Sequence, residues 1–151
     1  MWFRVFATGE SAPGPTYLLA HLRAIGMPVH GDFSGDDLGW FRVDLTLEGR
    51  AEPLQLNRYL TDEEEIRDQL NAWAAWLETV PNNPYIRRLM QHMIGTRQVF
   101  TIQCTREEAE DQPAGRFCVE LCRHLARETK GIYQADSRGF FAAHGKLLVK
   151  E

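Results

Sequence analysis

Thr61–Pro81, TDEEEIRDQLNAWAAWLETVP, is the stretch whose reading decides the fold. Ile66, Leu70, Trp73, Leu77 and Val80 recur at steps of three or four, which places them on one stripe of a helix. Trp76 lies beside that stripe and widens it. Thr61 and Glu64 have the spacing of a capping box. Asp62 to Glu65 load the first turn with negative charge, which suits the positive end of the helix dipole. Pro81 ends the run. A helix this apolar on one side needs a sheet or another helix to cover it.

Strand signals lie on both sides of that helix. Trp2–Ala7 is apolar except for Arg4 and reads as a strand covered on both faces. Thr16 is placed to cap a helix through Ile25, with Leu18, Leu22 and Ile25 inward and Gly26 as its stop. Val29–Phe33 is a short strand, and Ser34–Gly39 (SGDDLG) is a turn. Trp40–Leu47 alternates, with Phe41, Val43, Leu45 and Leu47 on one face and Trp40, Arg42, Asp44 and Thr46 on the other. Pro53–Leu60 is its return strand. After the central helix, Asn83 and Pro84 open a second one, Tyr85–Ile94, stopped by Gly95. Gln98–Cys104 is a strand, Thr105–Gly115 a loop with room for one helical turn at TREE, and Arg116–Lys130 a helix stopped by Gly131. Ile132–Ala135 and Phe140–Val149 are strands, the latter split at His144-Gly145.

The sum is an α+β fold: a mainly antiparallel sheet with helices on one face, in a single domain spanning 1–151. Residues 1–60 and 98–151 share an element order, which raises two βαββ halves around a helical middle, 61–95. The competing explanation is that Asp and Gly are common in all turns.

Composition narrows the function. Hydrophobic residues make up 44% and charged residues 25% of 151, enough for a core and ordinary for a globular chain. A net charge of −4 argues against broad nucleic-acid or anionic-membrane binding. No run has the length of a membrane span, and MWFRVFATGE does not read as a signal peptide. Three cysteines, an odd and low number, read as reduced thiols in a cytoplasmic protein.

The chemical motifs are incomplete. Gly9-x-x-x-x-Gly14 sits where a phosphate loop would, but Pro15 stands in place of the lysine, and Pro13 and Pro15 remove two N–H donors. The carboxylates of Asp62–Glu65 and Asp68 already serve a helix start, so no metal site is expected there. Cys118 and Cys122 lie one turn apart with no second pair, and read as small buried residues. Cys104, a histidine and Asp136 would make a nucleophilic set only if folding joined them. Arg87 and Arg88 beside His92 form a small basic face, fit either to bind an anion or, as preferred on sequence, to pair with the acidic run. Trp40, Tyr59, Trp73 and Trp76 are the candidate lining of a ligand pocket. No cofactor and no metal are expected.

The segment LARETKGIYQADSRGFF, within the strand–loop–helix–Gly–strand–turn–strand order from Gln98 onward, resembles the tail of several uncharacterised bacterial α+β families. Some members of these are similar to immunity proteins, which bind and neutralise a partner toxin. That resemblance implies a bacterial source and carries no catalytic residues with it. The function expected is a non-catalytic binding or regulatory protein, recognising a basic protein partner through an acidic surface. The alternative is a small-molecule-binding protein or enzyme with a Trp/Tyr-lined pocket.

Overall fold

A hydrophobic strand at the start of the chain becomes the middle of the sheet. In the computed structural model, which describes residues 1–151 apart from the side chain of Asp111, β1 (Trp2–Ala7) is followed by α1 (Pro15–Ala24), β2 (Val29–Asp36), β3 (Gly39–Leu47) and β4 (Leu54–Leu60). Two helices come next, α2 (Glu64–Glu78) and α3 (Ile86–Ile94), then β5 (Gln98–Gln103), α4 (Arg106–Asp111) and α5 (Pro113–Glu128). The chain closes with β6 (Gly131–Ala135), β7 (Gly139–Ala142) and β8 (Leu147–Lys150). The strands form one eight-stranded sheet, ordered β2-β3-β4-β5-β1-β6-β7-β8, and every neighbouring pair is antiparallel. The fold is α+β. Among the described residues, no helix is long and apolar enough to cross a membrane.

The helices cover both faces of this sheet, which corrects the one-sided arrangement expected from the sequence. Phe3, Val5 and Ala7 pack with Leu18 and Leu22 of α1 and with Phe117, Leu121 and Leu125 of α5. Phe6, pointing the other way, packs with Ile66, Leu70 and Leu77 of α2 and with Leu89 and Met93 of α3. Side chains alternate across a strand, and the central strands are apolar on both sides, so each side needs its own helical cover. Burying Ile66, Leu70 and Leu77 stabilises by about 1.5–3 kcal/mol apiece before entropy is counted.

The two stretches with matching element order enter the sheet differently. From β1 the chain crosses to the far edge at β2 and steps back inward through β3 and β4. From β5 it crosses only β1, to β6, and steps outward through β7 and β8. The likeness is one of order along the chain and does not extend to strand positions.

Three local expectations change. Thr61 does not cap α2: its hydroxyl donates to the carbonyls of Thr96 (3.0 Å) and Arg97 (3.0 Å), and Glu63 holds the cap position. The capping box is at Thr105–Glu108 instead, with both reciprocal hydrogen bonds formed, and opens α4 at TREE, where the sequence left room for one helical turn within a loop. Thr16 does not cap α1 either. Gly14 precedes the helix and Pro15 is its first residue, where a missing N–H costs nothing.

The alternation of β3 breaks at its start. Ser34 pairs with Arg42 but Gly35 with Trp40, which leaves Phe41 as an extra, bulged residue. Trp40 therefore joins Val43 and Leu45 in the core, and Phe41 faces solvent. Gly35 permits this: a Cβ there would lie 2.8 Å from the Gly39 carbonyl oxygen.

Candidate functional site

The expected aromatic lining is split by the sheet. Trp40 packs on one face, its indole N–H donating to the Pro13 carbonyl at 2.8 Å. Tyr59, Trp73 and Trp76 lie on the other. There Trp73 and Trp76 meet edge to face at 6.1 Å, and both contact Phe140, so they pack, half-buried, against the core of that face.

Nor are Cys104, a histidine and Asp136 joined. Cys104 is buried in one apolar cluster with Cys118 and Cys122, and burial drives the Cys122 thiol upward. Burial pushes the Asp136 carboxyl up, but hydrogen bonds from the Trp2 N–H, Arg4 and Gln134 outweigh it and hold the group below the usual range. Arg4 reaches Asp136 at 2.7 Å. Among the described residues, no group of three His, Cys, Asp or Glu side chains is placed to hold a metal ion. His124, on α5, is 1% exposed and stacks on His21 of α1 at 3.7 Å. Neither of its ring nitrogens has a partner. Burial first, and the neighbouring His21 second, pull its pKa down to about 4.

Chemistry-bearing groups converge elsewhere, between α3 and the strand ends of β6, β7 and β8. The Asn83 side chain makes an Asx turn, accepting the Tyr85 N–H at 2.8 Å, and donates to the Leu148 carbonyl at 3.0 Å. That contact docks the start of α3 onto β8. Leu89 and Met93 sink into the core, and the neighbouring helix face, carrying Tyr85, Arg88 and His92, fronts a cavity of about 420 Å³. Lys130 enters from the end of α5, in a left-handed conformation (φ 53°), with its carbonyl accepting the Thr8 hydroxyl at 2.7 Å. His144 and Lys146 come from the β7–β8 turn, where Gly145 has φ 100° and the His144 carbonyl accepts Arg123 at 3.0 Å. Lys146 Nζ donates to the Tyr85 hydroxyl at 2.8 Å and lies 5.2 Å from its ring centre, so it ties the turn to the helix.

The cavity lining therefore holds Arg88, His92, Lys130, His144 and Lys146 and no carboxylate. Arg88, Lys130 and Lys146 take part in none of the ion pairs of the described residues. This overturns the preference for pairing Arg87 and Arg88 with the acidic run: the five pairs present lie elsewhere. His92 Nε2 is 2.8 Å from the Phe6 carbonyl oxygen, which only accepts, so Nε2 carries the proton. Burial lowers the pKa of His92, the Phe6 bond opposes this, and Arg88 lowers it further. Its Nδ1 is then the free lone pair.

Of this set, the sequence reading singled out Arg88 and His92 and missed Lys130, His144 and Lys146. A usable signal was present. Thr79–Arg106 and Ser137–Lys150 contain no Asp or Glu, in a chain with 21 of them. Acid-free segments that meet in space make a positive field inside an acidic protein.

No protein-family model, no curated protein and no solved structure matches this chain.

Proposed function

We propose that this is a non-catalytic binding protein whose cleft, between α3 and the β7–β8 turn, takes a small organic anion with two or more negative charges. The observation that supports this is the lining: three unpaired cations and two imidazoles with no acid, in a chain of net charge −4. Cations so placed repel one another and lower stability unless a counter-charge arrives. An anion bound there accepts charge-assisted hydrogen bonds from Arg88, Lys130 and Lys146. Leu89, Ile132 and Leu148 supply an apolar wall for its carbon skeleton. The lining has no Ser, Thr, Cys, Asp or Glu, hence no aliphatic hydroxyl, thiol or carboxylate, and its one hydroxyl, on Tyr85, accepts a hydrogen bond from Lys146. The chemistry of the cleft is holding, not converting. The three unbridged, buried thiols suit a reducing compartment such as a bacterial cytoplasm.

The test is thermal unfolding of the purified chain with a panel of phosphorylated and polycarboxylate metabolites, each beside an uncharged analogue. A ligand at a hundred times its Kd raises Tm by about 5–10 °C in a domain of this size. The Arg88→Ala/Lys146→Ala variant is expected to lose that shift. Equal shifts in the variant, or none from any anion, would rule the reading out.

A further inference from the structure

The bulge that buries Trp40 also turns Phe41 outward. Phe41 is 45% exposed, and Leu38, at the tip of the β2–β3 hairpin, is 68% exposed. A bulge is a device for re-aiming a side chain, and here it places an aromatic ring in water beside a leucine. With Tyr59 and Leu60 these two line a groove of about 460 Å³. Asp36, Asp62 and Glu63 form its rim, and none of the three carboxylates belongs to an ion pair among the described residues. The one cation in the lining is Arg58, which is buried. Its guanidinium donates to Gln98 (2.6 Å) and to the carbonyls of Leu38 (3.2 Å) and Trp40 (3.1 Å), so it braces the hairpin from within.

We propose that this groove docks a basic segment of a partner protein, with an apolar anchor set against Leu38 and Phe41 and flanking lysines or arginines on the acidic rim. Apolar contact at the centre supplies affinity, and unpaired charge at the rim steers and selects. A second copy of the chain is a poor occupant. A two-fold contact through this groove would bring Asp36, Asp62 and Glu63 against their own equivalents, and like charges across an interface repel. The groove lies at the same end of the sheet as the cationic cleft but on the far side of β5 and β1. The two sites are separate, and this inference does not rest on the anion reading.

The probe is a fluorescein-labelled synthetic peptide with lysines around a single leucine, titrated with the full chain and followed by anisotropy. Binding is expected, weaker as salt rises. The Leu38→Ser/Phe41→Ser variant is expected to bind about tenfold more weakly or worse, as is Asp62→Lys/Glu63→Lys, while Arg88→Ala/Lys146→Ala binds like the parent. Circular dichroism confirms that the variants, altered only at exposed positions, remain folded. No binding, or equal binding by Leu38→Ser/Phe41→Ser, overturns the proposal. So does sedimentation showing a concentration-dependent dimer that the same variant abolishes, since the occupant would then be a second copy.

Discussion

Acidification should weaken this fold through His124, and the size of the effect follows from its surroundings. The ring is sealed beneath α1, stacked on His21, with neither nitrogen bonded. Its pKa falls from 6.5 to about 4. For a base depressed in the folded state, the unfolded chain takes up the proton first, so stability is present at high pH and is lost as pH falls through the unfolded pKa. Going from neutral pH to about pH 5 removes about 2 kcal/mol, and complete protonation removes about 3 kcal/mol. His124→Phe keeps the ring stack, deletes both orphaned nitrogens and cannot titrate. It should be about 1–3 kcal/mol more stable than the parent at high pH, and that gap should widen by about 2 kcal/mol at about pH 5. Urea unfolding followed by tryptophan fluorescence at several pH values measures the gap directly, and other titrating groups cancel in the difference. Parallel stability curves for parent and variant would refute the reasoning.

Other expectations follow from the same geometry. An anion in the cleft favours the protonated form of His92, which burial and Arg88 otherwise oppose; affinity should rise about three- to tenfold as pH falls from about 8 to 6. Calorimetry in two buffers should show proton uptake that His92→Gln lacks. Arg58→Ala strands Gln98 and two hairpin carbonyls and should cost about 2–4 kcal/mol by thermal unfolding, with lysine failing to restore it because one ammonium cannot span the fork. Thr105→Ala removes the cap of α4 and should cost about 1 kcal/mol. The partner of that cap, Glu108, is held at about 2 by Arg50 first and the Thr105 N–H second. Its contribution is present at neutral pH and is lost as pH drops from 4.5 toward about 2, which an acid titration of parent against Glu108→Gln would show.

What was legible in the sequence was periodicity. The run Trp2–Ala7 is β1 residue for residue, and Ile66, Leu70 and Leu77 are buried as their spacing requires. What was not legible depended on residues distant in the chain. The phase of β3 changes because Gly35 admits a close approach from Gly39 and Trp40, and nothing in the local pattern of WFRVDL announces it. Thr61 and Thr105 both precede a glutamate at the right interval. The first is diverted because Thr96 and Arg97, in the connection from α3 to β5, present two carbonyls to it, and the second is free to cap. The cleft needs α3, the end of α5 and the β7–β8 turn to meet, so its five basic groups could be read singly from the sequence but not as a set.

The position of β1 also bears on how the chain is made. Of the eight strands this one is synthesised before the others, yet its two neighbours are β5 and β6, which end at Gln103 and Ala135. At ribosomal speeds of about 5–20 residues per second, the interval before both flanks exist is on the order of ten seconds. Until then Phe3, Val5 and Phe6 lack at least one strand partner, and Phe3 and Val5 also lack the cover of α5. The centre of the sheet is thus completed late, and faster translation of the last third would shorten the exposure.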